Sequence, residues 1–468
     1  MSHAAATTIP AAAPILSPRT RLLLEGPVAR TLLWLAAPNV LVMVLQAAVS
    51  TLDAVFVGWL GSAALAGVSV VFPLVMLMQT MSAGGMGGGV ASAVARALGG
   101  GRRADADALV VHAIVIALVM SGALTLALEI GGPALYHAMG ATDEVLAAAV
   151  TYSRVLFGGA IAYWLFNTLG SAIRGSGNMA VPATVMVGSG LFYLALSPAL
   201  ILGWGPLPRL GIAGAAAASV LSFGLGALVL FGFLLSPRSL VRPRLQGRGL
   251  RPALFWEILR VGAPGALNTV FTNLTVVVLT ALVGPFGATA LAGYGMGARL
   301  EYLQIPIVFG LGSGLVTMVG TNVGAGDRAR AVRVAWVGGA MAAGITGVIG
   351  ILAAIFPSAW LGLFTADPEV LAAGTRYLRI VGPFYGFFGA GLALYFASQG
   401  SGRLLWPLLA GFTRLVVAGV GGWLVSRWLG GGLSALYGAM AAALVVLGVI
   451  NVAAIHLGAW KTAARRSR

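Results

Sequence analysis

Of the twelve acidic residues in this chain of 468, Asp53 is the one placed where an acid is least expected. It lies about 22 residues into an apolar run and about 8 before Gly61, roughly 12 Å from the end of the run at the helical rise of 1.5 Å per residue. A carboxylate there costs about 2.5–3.5 kcal/mol to insert into a bilayer, so it must face a cavity or a partner rather than lipid. Burial favours the neutral form of a carboxyl and a bound cation favours the charged form, which suits a site that a proton or a sodium ion loads and leaves. A structural carboxylate satisfied by neighbouring hydroxyls near the membrane interface is the other reading. Gln46 lies two helical turns before Asp53, on the same face. The second interior acid, Glu301, sits about 11 residues into another apolar run, next to Arg299. Residues two apart do not face each other on a helix, so these two are no ready-made ion pair, and a role in a second cavity and a structural charge are both open.

Uncharged polar residues inside the apolar runs include Asn167, Ser197, Ser219, Asn268, Thr272 and Gln304, each either a ligand or a hydrogen-bonding group between helices. What is missing narrows the chemistry further. The only lysine is Lys461, so no lysine-bearing phosphate loop exists and ATP hydrolysis is excluded. There is no cysteine, and His3, His112, His137 and His456 are scattered without a metal-binding motif. No catalytic residue, metal site or cofactor is expected, and the protein does not read as an enzyme. The Gly84–Gly89 cluster lies within an apolar run and reads as close helix packing rather than a phosphate loop.

These residues are carried by a chain that is 59% hydrophobic and 9% charged, with a mean hydropathy of +0.96. Soluble proteins carry about 25% charged residues, so this is a polytopic membrane protein. Apolar runs of about 20 residues, enough to cross a bilayer, give twelve helices. They read as 31–59, 66–95, 107–131, 149–172, 180–203 and 211–235, then 259–284, 290–323, 332–356, 374–398, 404–428 and 434–460. Arginines gather in alternate joints, at Arg102/Arg103, Arg174, Arg238 to Arg251, Arg328 to Arg333, Arg403 and the tail from Lys461 to Arg468. The intervening joints are bare or acidic, apart from Arg209 and Arg427. The net charge of +16 is therefore a topology signal that places both termini in the cytoplasm, and not a sign of nucleic-acid binding.

The chain also repeats. Residues 56–67 return at 282–293 with 7 of 12 identical; Ala37-Pro38 faces Ala263-Pro264, and Arg174-Gly175-Ser176-Gly177 faces Gln399-Gly400-Ser401-Gly402. The offset is 226 residues at the start and 225 downstream, a slip of one. Six helices per copy is an even number, so the copies enter the membrane in the same sense and form two parallel lobes around a shared cavity. The expected organisation is a cytoplasmic tail over 1–30, an N-lobe over 31–235, a cytoplasmic linker over 236–253, a C-lobe over 254–460 and a tail over 461–468. Asp53 faces Leu279 in the second copy, so this architecture does not require an acid there.

Pro38, Gln46, the Asp53-Ala-Val-Phe-Val-Gly58 segment, Leu98-Gly99-Gly100-Gly101, Arg174-Gly175-Ser176-Gly177-Asn178 and Val323-Gly324-Ala325-Gly326 occur in the order seen in one family. On this twelve-helix repeat the chain resembles the multidrug and toxic compound extrusion (MATE) family of secondary transporters, from about Thr31 to Trp460. The resemblance implies export of bulky, often cationic and lipophilic compounds, driven by inward flow of protons or sodium through alternating access. It assigns the coupling ion to Asp53, with Gln46, Asn167 and Ser219 as neighbours of the cation site. One branch carries an Asn-x-x-x-Asp pair in the fifth helix, where this chain has Tyr193 and Ser197. Another carries a seventh-helix glutamate where this chain has Thr272, and its tenth-helix aspartate falls near Phe388. With so few acidic partners for Asp53, protons are favoured over sodium.

The expected protein is an ion-coupled antiporter in the bacterial inner membrane, whose partners are a small-molecule substrate, the coupling ion and the bilayer. Asn268, Thr272, Glu301 and Gln304 mark a possible C-lobe cavity. A flippase for lipid-linked precursors is an alternative, although it would need several arginines in its cavity to grip pyrophosphate. A receptor or scaffold is a third, although the longest internal loop is only about 18 residues.

Overall fold

In a computed structural model the described residues form helices and no strand. The structure describes residues 17–460 other than 206, 246, 248 and 429, and at 40, 41, 43, 44, 47, 48, 50, 51 and 427 the backbone alone. The expected tail over 461–468, most of the tail over 1–30 with His3, Arg248, and the Arg427 side chain lie outside the described residues.

Among the described residues, twelve rods carry the fold. The first six are α1 (Val28–Gly58), α2 (Ser62–Gly99), α3 (Arg103–Ala138), α4 (Asp143–Gly158 continued by Ala160–Gly175), α5 (Ala180–Leu202) and α6 (Ile212–Leu235). The second six are α7 (Pro252–Phe286), α8 (Ala288–Gly324), α9 (Arg328–Ile355), α10 (Pro368–Ser401), α11 (Leu405–Ser426) and α12 (Gly432–His456). Ten of them are long and apolar enough to cross a membrane singly, α4 does so as a bent pair, and α1 is 31 residues long. Each expected span has its rod, and several rods run further than the apolar run alone, α3 reaching from Arg103 to Ala138. The fourth span is bent by 45° at Gly159, where Val220 of α6 fills the space a side chain would need. Before α1 a short helix, Pro18–Glu25, is capped by Ser17, whose hydroxyl accepts the Thr20 amide, and its Leu23 carbonyl accepts from Asn322 of α8.

The repeat is visible in the turns. Gly61 and Gly287 both turn the chain at φ 99°, and Gly177 and Gly402 follow at 84° and 79°. Glycine is favoured at such positions because a Cβ is strained at positive φ. The one-residue slip has a physical seat. Rod α2 is 38 residues long and its counterpart α8 is 37, and α2 alone of the two contains a π-helical turn, Met81–Met86. A π-turn is how a helix absorbs one extra residue without breaking.

The two lobes meet along a seam made by the second half of α2, the start of α7, the second half of α8 and the end of α10. Gly85 and Gly89 press backbone to backbone on α7, where a Cβ would fall 2.6 Å from the Ala266 nitrogen and 2.8 Å from the Gly262 nitrogen. Small residues let membrane helices approach this closely, which explains the glycine cluster. Polar groups add to the packing: Gln399 donates to the Gly84 carbonyl at 2.9 Å, Thr317 to the Arg174 carbonyl at 3.0 Å, and Asn39 to Ser313 at 3.0 Å. Buried Arg96 donates across the seam to the Glu257 and Gly400 carbonyls, both at 3.3 Å. Glu257 itself pairs with Arg102 at 3.5 Å. All of these contacts lie in the arginine-rich half of the molecule, whereas the opposite ends of α2 and α8 do not pack on each other. The lobes therefore close at the arginine-rich end and part toward the other. The 236–251 segment that joins them is held to α3, Arg251 reaching Asp105 at 2.6 Å and His112 at 2.8 Å.

Candidate functional site

Asp53 stands one and a half turns before the end of α1, on the side packed against α5. Its carboxylate accepts a hydrogen bond from the Tyr193 hydroxyl, across an N-lobe helix pair. Ser197, fully buried one turn further along α5, neighbours the same phenol. Two more buried tyrosines, Tyr152 and Tyr163 of α4, lie within electrostatic reach of the carboxylate. Tyr163 stacks on Phe223 with centroids 4.1 Å apart, and Ser219 of α6 lies within hydrogen-bonding reach of its hydroxyl. The acid thus faces hydroxyl groups inside a lobe, which is what its depth in the membrane required.

Two of the expected neighbours stand elsewhere. Gln46 is exposed on α1. Asn167 is buried and donates to Ser82 at 2.9 Å, so it stitches α4 to the π-turn of α2. Tyr152 had no signal of its own in the sequence; the repeat could have flagged it, because its twin 225 residues on is also a tyrosine, Tyr377.

The C-lobe holds a second polar site. Glu301 of α8 pairs with Arg414 of α11 at 2.8 Å, with side chains only 13% and 11% exposed. The Tyr377 hydroxyl approaches the other carboxylate oxygen at 3.4 Å, and the guanidinium lies over the Phe388 ring at 5.4 Å. Arg299, the sequence neighbour, instead covers Phe364. A cavity beside the pair is lined by Thr272, Tyr294, Tyr302 and Tyr377, among others. Thr272 bonds its own helix at the Asn268 carbonyl, 3.0 Å away. Asn268 packs on Gly411 and Gln304 donates to the Leu300 carbonyl at 3.2 Å; neither lines this cavity. No cluster of histidine and acidic side chains suited to a metal exists among the described residues.

A second cavity straddles the seam between the lobes, lined by Gly84, Gly88, Arg174, Ser313, Phe396 and Gln399. Arg174 is held there by Ser171 at 2.7 Å.

Two parallel six-helix lobes, joined at one end and parted at the other, with a half-buried acid in one of them, define a polytopic membrane carrier. The MatE family model matches residues 38–199 and again 264–424, once per copy of the repeat, and the chain belongs to that family of transporters. The "FAD transporter" of Shewanella oneidensis is 29% identical over 397 residues, covering 84% of this chain and 87% of that one. The "Probable multidrug resistance protein NorM" of Deinococcus radiodurans is 30% identical over 448 residues, covering 90% and 93%. Among solved structures, a MOP superfamily transporter from Pyrococcus furiosus superposes with a TM-score of 0.86 at 23% identity, over 96% of this chain and 99% of that one.

Proposed function

We propose that this transporter is an ion-coupled antiporter that exports bulky compounds by alternating access, with Asp53 as the carboxylate that carries the coupling ion. The observation that carries the reading is the Asp53–Tyr193 hydrogen bond inside the N-lobe, at a depth where a charge needs a purpose. The ionised acid accepts a hydrogen bond from the phenol; a proton or sodium ion on the carboxylate competes for that contact and loosens α1 from α5. Rod α1 also touches α8 of the other lobe through Asn39, so a change at Asp53 bears on the seam. By the positive-inside rule the arginine-rich end faces the cytoplasm, and the arrangement described is open to the outside. Protons are favoured over sodium, because Asp53 has hydroxyl neighbours and no second acid among the residues around it.

The test is efflux from proteoliposomes under separate proton and sodium gradients. Asp53→Asn is expected to abolish ion-driven efflux while the protein stays folded in the membrane. Normal pumping by that variant would remove Asp53 from the coupling role. For the substrate, lipophilic cations such as ethidium are the first class. Arg174 in the seam cavity favours a second, anionic aromatics of the kind named for the Shewanella relative, so FAD belongs in the same assay.

A further inference from the structure

The C-lobe cavity occupies the same place in its lobe as the Asp53 site does in the other. Leu279, Tyr377, Phe388 and Ala418 line it, and their twins in the first copy are Asp53, Tyr152, Tyr163 and Tyr193. The second copy has therefore replaced both the acid and its phenol partner by apolar residues. A carboxylate has nevertheless returned to the cavity from a different helix: Glu301, where the first copy has Val75. With it comes Arg414, one turn before Ala418 on α11, where the first copy has Ser189.

We propose that Arg414 is a tethered cation that fills, in the C-lobe, the position an exchangeable coupling ion takes in the N-lobe, and so keeps Glu301 out of the ion cycle. The geometry is that of an occupied site. The guanidinium contacts one carboxylate oxygen at 2.8 Å, a phenol contacts the other at 3.4 Å, and an aromatic face lies on the cation at 5.4 Å. Arginine stays charged in proteins and, unlike a proton or sodium ion, it cannot leave. Other groups facing Glu301 are phenols: Tyr294 and Tyr302 on its own helix, Tyr377 from α10, and Tyr385 further along α10. Rod α7 contributes hydroxyls at Thr272 and Thr275, and α12 contributes apolar side chains at Met440 and Leu444. With no second acid facing the pair among the described residues, the cavity is neutral and leaves a free cation nothing to balance. The inference rests on reading Asp53 as the N-lobe ion carrier, and it implies one exchangeable ion site per chain.

Infrared difference spectra of the reconstituted protein between alkaline and acidic pH, with radioactive sodium binding measured alongside, test the two lobes separately. In R414Q, Glu301 is expected to gain either a titrating carboxyl band or one saturable sodium site per chain, and E301Q/R414Q is expected to lose it again. R414K should behave as the native protein. In E301Q, with Arg414 in place, the native carboxyl band and ion binding should persist undiminished. If R414Q gains neither signal, or if E301Q removes ion binding that the native protein shows, the proposal is wrong. Should R414Q fail to reach the membrane, E301Q alone decides it. Loss of the native band in D53N bears only on the N-lobe assignment, so the failure of one reading is distinguishable from failure of the other.

Discussion

Tyr193 and Arg414 do parallel work on two acids, and each can be removed without touching the acid itself. Tyr193→Phe deletes one hydrogen bond to a charged group, worth about 1.5–3 kcal/mol. It is expected to shift the ion concentration for half-maximal transport by roughly tenfold or more, as read from efflux across a titrated gradient. Glu301→Gln leaves a buried guanidinium without its counter-charge, and breaking such a pair costs about 3–5 kcal/mol. A fall in thermal midpoint that is largely recovered in an E301L/R414M double variant is the expected outcome; equal stability of E301Q and the native protein would show the pair to be solvated. Asp53 was legible from the sequence because a lone charge in an apolar run is conspicuous and expensive. Its tyrosine partners from α4 and the Glu301–Arg414 pair were not, because they come together only through packing between residues about a hundred positions apart in the chain.

The seam makes its own demands on the helices. Gly89 lies against the α7 backbone, so Gly89→Val must push the lobes apart at the arginine-rich end. Because the chain has no cysteine, a single Cys at buried Thr321 reports on this directly. In the G89V background that cysteine is expected to react readily with a water-soluble maleimide, while T321C alone stays protected; protection in both would mean that the seam tolerates the valine. Helix number, order and approximate extent were readable from apolar runs and glycine-marked joints. The bend of α4 was not, since Gly158-Gly159 sits inside an unbroken apolar run and the deciding contact, Val220, belongs to another helix.

For the molecule as a whole, alternating access requires the parted ends to approach when the seam opens. Leu65 and Leu291 are twins near those ends, both exposed, and spin labels at L65C and L291C should report a second, shorter distance when the coupling ion is loaded. In D53N the distance distribution is expected to stay the same whatever the pH or sodium concentration. An ion-dependent distribution in D53N would mean that another group senses the ion. The two-lobe plan itself was legible from the repeat, because even helix number and shared turns leave little freedom in how the copies enter the membrane. Which end was closed was not, since both lobes carry the same turns at both ends.

The π-turn in α2 also bears on how the two halves diverged. In a regular helix one added residue would rotate everything beyond it by about 100° around the axis. The wider π-turn takes that residue up, so the face beyond it is kept. Gly85 meets Gly265 of α7, just as its twin Gly310 meets Asn39 of α1, the twin of Gly265. The seam is therefore one contact made twice, and the two halves have drifted in length by a codon without losing the surface on which they join.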